Sequence, residues 1–236
     1  MATNKGSSNE ARIWAVIGAS GTGKGLWIKE QLAALQPARL VIWDFMDEYG
    51  EHARPSSTLE AIRRDMIKVG KSGPLRVRYT PRGTGEKAMR KEFETLCELV
   101  YAWGSCVFVA EELSNVTTPG WAPPAWRKMS TSGRHVGAHL IGVTQNPALI
   151  DKTYLSNCTL VHVSALRNNI HREYVAREID CPVEQITALK PFEWIERDHV
   201  AAELRKGMVK VPNSAPRGRQ PRPRPTPRGV AKSGQR

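Results

Sequence analysis

The stretch Ile13-Trp-Ala-Val-Ile-Gly-Ala-Ser-Gly-Thr-Gly-Lys-Gly25 decides how this chain folds. Ile13 to Ile17 is a short apolar run. Gly18, Ala19, Ser20, Gly21, Thr22, Gly23, Lys24 and Gly25 form a glycine-rich loop with a lysine near its close, and Leu26 to Leu35 is amphipathic. The order predicts strand, phosphate loop, helix. In the spacing Gly18-x-x-x-x-Gly23-Lys24, backbone N–H groups wrap the phosphates of a nucleotide while the lysine reaches the terminal ones. Gly18, Gly21 and Gly23 suit a tight loop that phosphate approaches closely. The bare pattern arises by chance in many chains; the strand before it and the helix after it supply the specificity.

One position departs from the motif. After the lysine the motif carries Ser or Thr, whose hydroxyl ligates Mg²⁺. This chain has Gly25. Three readings stay open: water fills the place, another side chain compensates, or hydrolysis is impaired.

Outward from the loop, apolar runs alternate with amphipathic ones. Strands are expected at Arg39 to Asp44, Leu75 to Tyr79, Cys106 to Ala110, Ala138 to Thr144 and Thr159 to Val163. Helices are expected from Ser57 to Val69, Gly85 to Trp103, Pro124 to Ser132, Asn169 to Ile179 and Pro182 to Leu189, with a closing hairpin at Phe192 to Ile195 and Val200 to Leu204. Runs such as Val107-Phe108-Val109 are apolar on both sides, the mark of a mainly parallel sheet covered by helices on both faces. The fold class is α/β.

Charge divides the chain. Of the 35 Lys and Arg, ten fall from Arg205 onward, where there is no Asp or Glu; the other 25 face 23 acidic residues. The expected organisation is a disordered N-terminus over 1–10, one domain over 11–205 and a basic Pro/Arg-rich disordered tail over 206–236. Arg217 to Arg228 cannot bury a core and should stay extended. Such an arm attracts nucleic acid phosphates, with a solubilising tail or a protein-docking arm as the alternatives. No run approaches the ~20 apolar residues of a membrane span, and the N-terminus has no apolar signal core. A soluble intracellular protein is expected, with Cys97, Cys106, Cys158 and Cys181 as buried thiols.

In open parallel sheets, ligands bind at the carboxyl ends of strands. Those ends carry the loop, Asp44, Glu111-Glu112 and Thr144-Gln145. A carboxylate pair after an apolar strand suits metal-assisted phosphoryl chemistry, with Glu111 orienting Mg²⁺ and Glu112 activating water. Glu111 stands where Asp is usual; its extra methylene reaches about 1.5 Å further and would partly offset the hydroxyl missing at Gly25. Gln145 suits a γ-phosphate sensor, since an amide bonds both phosphate and water. Arg134 is the candidate arginine finger toward a neighbouring subunit, with Arg127 and Arg167 as rivals. His135 and His139 lack a third ligand and read as structural. Trp121 and Trp126, like the other tryptophans, read as core or surface cover before base-stacking.

As a set, Gly18-Ala-Ser-Gly-Thr-Gly-Lys24, Asp44-Phe-Met-Asp-Glu-Tyr49, Val107-Phe-Val-Ala-Glu-Glu112, Gly133-Arg-His135 and Thr144-Gln-Asn-Pro147 resemble the FtsK–HerA-type ATPases in kind and order. The likeness spans about residues 11–205, with Asp151 to Arg167 similar to the family's last core strand and its lead-in. It implies a RecA-like (ASCE) P-loop NTPase core, ATP and Mg²⁺ as cofactors, ring assembly as a homo-oligomer, usually a hexamer, and ATP-driven pumping of double-stranded DNA. A core of this size without a membrane span is similar to the genome-packaging ATPases of tailless membrane-containing icosahedral phages. That likeness implies capsid vertex proteins as partners, and the host cytoplasm or the virion vertex as location. Alternatives are the zonula-occludens-toxin-like assembly ATPases of filamentous phages and conjugation-type DNA pumps. From another class, Gly25 motivates a nucleotide-binding structural protein that does not hydrolyse.

Overall fold

The computed structural model describes residues 12–211, apart from the Arg134 side chain. The expected N-terminal extension, and the tail from residue 212 onward, lie outside the described residues.

Nine strands form one sheet in the order β3-β4-β2-β5-β6-β1-β7-β8-β9. The strands are β1 (Arg12–Ile17), β2 (Arg39–Trp43), β3 (Arg54–Pro55), β4 (Leu75–Tyr79), β5 (Val107–Ala110), β6 (His139–Thr144), β7 (Leu160–Ser164), β8 (Glu193–Asp198) and β9 (Glu203–Met208). Every pairing among β1 to β7 is parallel; β8 and β9 are antiparallel. The helices are α1 (Lys24–Leu35), α2 (Leu59–Val69), α3 (Glu86–Trp103), α4 (Pro124–Ser132), α5 (Lys152–Ser156), α6 (Asn169–Glu178) and α7 (Val183–Thr187).

The period of two along each strand divides the core between the faces of the sheet. Ala15, Ile17, Val41, Trp43, Phe108 and Ala110 pack on one side, with side chains from α2 through α7. Val16, Leu40, Ile42, Val107 and Val109 pack on the other, where α1 supplies Trp27, Ile28 and Leu32. Helices cover both faces, as expected, but unevenly. Trp126 is fully buried against Phe93, Phe108 and Tyr154; Trp121 is 42% exposed beneath the Arg90 guanidinium. All four cysteines are buried and free. His139 is a core residue edge-on to Trp14, its pKa held down at about 3 by burial and by Arg12, so the ring is neutral.

Two close approaches fix the stacking. Gly142 in β6 has no room for a side chain: a Cβ there would meet Leu113 Cδ1 at 2.5 Å and Tyr154 Cζ at 2.6 Å. The Tyr154 hydroxyl accepts from the Gly142 amide at 2.8 Å and donates to the Trp14 carbonyl, which ties α5 to β6 and β1. Arg39 is 7% exposed and donates to the carbonyls of Gly70, Gly73, Trp103, Gly104 and Ser105, closing the C-terminal ends of α2 and α3.

The largest departure from the expected elements is at the C-terminal end. The hairpin lies later than read, and β9 runs through the expected domain boundary at 205–206 to Met208, with Val209 buried beyond it.

Candidate nucleotide-binding cleft

Sheet order brings the strand-end groups together. β6 lies between β1 and β5, with Ile17 opposite Thr144 and Ala110 opposite Gly142. The loop after β1, the carboxylate pair after β5 and the glutamine after β6 therefore emerge on one edge of the sheet. They line a cleft of about 710 Å³ whose walls include Gly21, Gly23, Lys24, Gly25, Glu48, Glu111, Glu112, Gln145 and Phe192.

The loop is shaped for an anion. Gly18 and Ala19 give their amides to the carbonyls of Thr144 and Ala165, which anchors its base to β6 and to the segment after β7. Gly23 has φ 108° and turns the chain into α1, a conformation L side chains rarely adopt. Among the described residues, the amides of Ser20 to Gly25 donate to no protein acceptor. Unpaired amides at a helix N-terminus attract phosphate through both their hydrogens and the helix dipole. Lys24 is 9% exposed and its Nζ donates to the Ala19 carbonyl at 2.9 Å, folding it back over the loop. Burial lowers its pKa, and the charges of Glu112, Glu111 and Glu48 act against that.

The carboxylates differ in environment. Glu111 is 7% exposed; its Oε1 accepts from the Tyr49 hydroxyl at 2.9 Å, and its Oε2 has no partner among the described residues. Burial raises its pKa to about 7, opposed by the Tyr49 bond and assisted by the charges of Asp44, Glu48 and Glu112. Glu112 sits in the left-handed region at φ 48° and accepts from Gln145 Nε2 at 2.6 Å. Strained backbone of this kind concentrates at functional sites.

Asp44 is fully buried and organises the loop after β2. It accepts from the amides of Glu48 (2.8 Å) and Tyr49 (3.2 Å) and from Arg78 Nη1 (3.0 Å). Tyr49, Lys29, Met46 and Phe192 were not anticipated as site residues. Phe192 packs near Gly23 from a position far along the chain, and its amide donates to the Thr22 carbonyl at 3.0 Å; no local pattern signals such a contact.

Lys24, Glu111, Glu112 and Gln145 thus share one cleft with the loop from Gly18 to Gly25. Arg134 does not join them: it lies in the short 3-10 turn Gly133–Val136, before β6 rather than after it. Six residues of strand put it on the order of 20 Å from its own cleft. Arg127 is engaged at Gly120 and Asp151. Arg167 is exposed after β7 and reaches the Ser20 carbonyl at 3.5 Å, beside its own chain's loop.

The donor set fits a nucleotide with a divalent cation: free amides and a buried lysine for phosphate, and an orphaned carboxylate oxygen for the cation. Protein P9 of Pseudoalteromonas phage PM2 is 30% identical to the chain over 197 residues, 81% of this chain and 84% of that protein. The chain belongs to the P9 family. No family model matches it. Among solved structures, the genome packaging NTPase B204 of Sulfolobus turreted icosahedral virus 2, in complex with AMPPCP, superposes with TM-score 0.67 at 17% identity, covering 85% of this chain and 98% of B204. VirB4 of Thermoanaerobacter pseudethanolicus superposes with TM-score 0.64 at 13% identity, covering 89% and 92%. The fold of this P9 relative is the P-loop NTPase fold. Among the described residues, no helix is long and apolar enough to cross a membrane.

Proposed function

We propose that this protein hydrolyses ATP to drive double-stranded DNA into a viral capsid. The observation that carries the reading is the cleft itself: free loop amides and Lys24 on one wall face Glu111, Glu112 and Gln145 on the other. The P9 relative and the packaging NTPase B204 support the choice of task.

Each side chain has a chemical assignment. The amides of Ser20 to Gly25 and the Lys24 ammonium bind the phosphates. Glu112, part-exposed at the cleft, takes the proton of the attacking water. Gln145 fixes Glu112 through its amide and turns toward the γ-phosphate when that arrives. Glu111 holds Mg²⁺, which supplies charge neutralisation on the terminal phosphates. Arg134, far from its own cleft, serves the nucleotide of the next subunit in a ring, most simply a hexamer. The basic tail contacts DNA phosphates or a capsid vertex protein. The site of action is the host cytoplasm or the virion vertex.

The test is ATP turnover with and without linear duplex DNA. Turnover should rise with DNA, Lys24→Ala should lose nucleotide binding, and Glu112→Gln should bind ATP but turn it over at least about a hundredfold more slowly. A protein that binds ATP and never hydrolyses it, with or without DNA, would belong to the structural class instead.

A further inference from the structure

Gly25 removes a hydroxyl at the place where the loop motif supplies one. A Cβ built on Gly25 meets one neighbour, Glu48 Oε2, at 3.7 Å. The Glu48 carboxylate therefore faces the space that a serine or threonine side chain would enter. Its backbone holds it there, because the Glu48 amide donates to Asp44 Oδ1, and Asp44 is itself buried and bonded to Arg78. The next residue, Tyr49, donates its hydroxyl to Glu111. One short loop thus places Glu48 at the lysine-loop side of the cleft and steadies Glu111 across from it.

A second observation points to what lies between them. Glu111 is more than nine-tenths buried, lines the cleft, and its Oε2 has no partner. A buried carboxylate oxygen without a donor calls for a cation or a proton. Glu48 has no side-chain hydrogen bond or ion pair among the described residues either. Three carboxylates on the cleft would repel a triphosphate unless a cation stands between them.

We propose that Glu48 ligates the divalent cation that accompanies the nucleotide, jointly with Glu111, and so replaces the hydroxyl absent at Gly25. The inference rests on the nucleotide reading of the cleft. Mg²⁺ binds through one or two carboxylates together with phosphate oxygens and waters, rather than in an all-protein cage. Among the described residues no group of three or more His, Cys, Asp or Glu forms such a cage. Glu48 and Glu111 supply the protein's share. Of the three readings that Gly25 left open, this selects compensation by another side chain. The compensating residue comes from the β2 loop, with the longer reach of Glu111 as its complement.

The test is equilibrium binding of a fluorescent ATP analogue in EDTA and in Mg²⁺, using the full chain. The ratio of the two affinities measures the cation's contribution without reference to turnover. Glu48→Gln should cut that ratio by about tenfold or more through weaker binding in Mg²⁺, while affinity in EDTA holds or rises because one repelling charge is gone. Adding Gly25→Ser to Glu48→Gln should restore the ratio, since the serine side chain fits the open space and brings back a hydroxyl. Glu48 is exposed, so its replacement leaves the fold intact. An unaltered ratio in Glu48→Gln, or failure of serine to restore it, would overturn the assignment of Glu48 while leaving nucleotide binding in place. A wild-type chain that binds the analogue in neither buffer would overturn the nucleotide reading as well.

Discussion

Replacing Glu111 by Gln should make the nucleotide-free protein more stable at alkaline pH, at the cost of its function. Glu111 is buried with one oxygen unpartnered, and its pKa is raised from 4.5 to about 7, chiefly by burial. A carboxylate whose pKa is higher folded than unfolded favours the native state below the unfolded value. That advantage is lost as pH rises through the folded one. The window is therefore about pH 4.5 to 7. At about 1.36 kcal/mol per pH unit, ionised Glu111 costs the apo fold about 3 kcal/mol by pH 8. Glutamine is never charged and keeps a carbonyl for the Tyr49 hydroxyl. In urea unfolding with EDTA and no nucleotide, Glu111→Gln should exceed wild type by about 3 kcal/mol at pH 8 and by less than about 1 kcal/mol at pH 5. For a domain of this size that is a rise of about 5–10 °C in Tm at pH 8. A variant that is no more stable at pH 8 than at pH 5, relative to wild type, would refute the claim that Glu111 is a strained carboxylate prepared for a cation.

Two further changes probe the scaffold. Gly142→Ala should destabilise the fold by about 2–4 kcal/mol in urea unfolding, because the methyl collides with Leu113 and Tyr154 and displaces the hydroxyl that bonds β6 to β1; a neutral result would mean that α5 packs elsewhere. Arg39→Met should cost about 3 kcal/mol or more by the same assay, since it strips donors from the carbonyls that end α2 and α3. A loss under about 0.5 kcal/mol would show that those carbonyls are satisfied without it.

The sequence made most of the sheet legible, because buried parallel strands are near-continuous apolar runs bounded by glycine or polar residues. α3 was readable from its apolar spacing, and α1 from its place behind the phosphate loop, although its apolar residues do not keep to one face. α2 begins two residues later than the expected start at Ser57, because the side chain that accepts from the Ala61 amide is that of Thr58. The hairpin was misplaced for a physical reason. β8 and β9 form an antiparallel edge of the sheet, where charges such as Glu196, Arg197, Arg205 and Lys206 sit comfortably, so apolar patterning fades. For the same reason the basic tail was expected to begin at residue 206, inside what is β9. β3, a two-residue strand ending in Pro55, and α5, a single turn capped by Asp151, are too short to carry a period.

Within the cleft, Lys24, Glu111, Glu112 and Gln145 were findable because each follows an apolar strand or closes the loop. Glu48 was visible as part of a motif, but its place beside Gly25 depends on β2, two strands from β6 and three from β1. Phe192 reaches the loop only through the C-terminal hairpin, a contact set by tertiary packing.

Displacement of a triplex-forming oligonucleotide from linear duplex DNA reads movement along DNA directly. The account predicts ATP-dependent displacement by the wild-type protein, none with a non-hydrolysable ATP analogue, and none by Glu112→Gln. ATP hydrolysis that never displaces the third strand, or displacement that persists in Glu112→Gln, would contradict it.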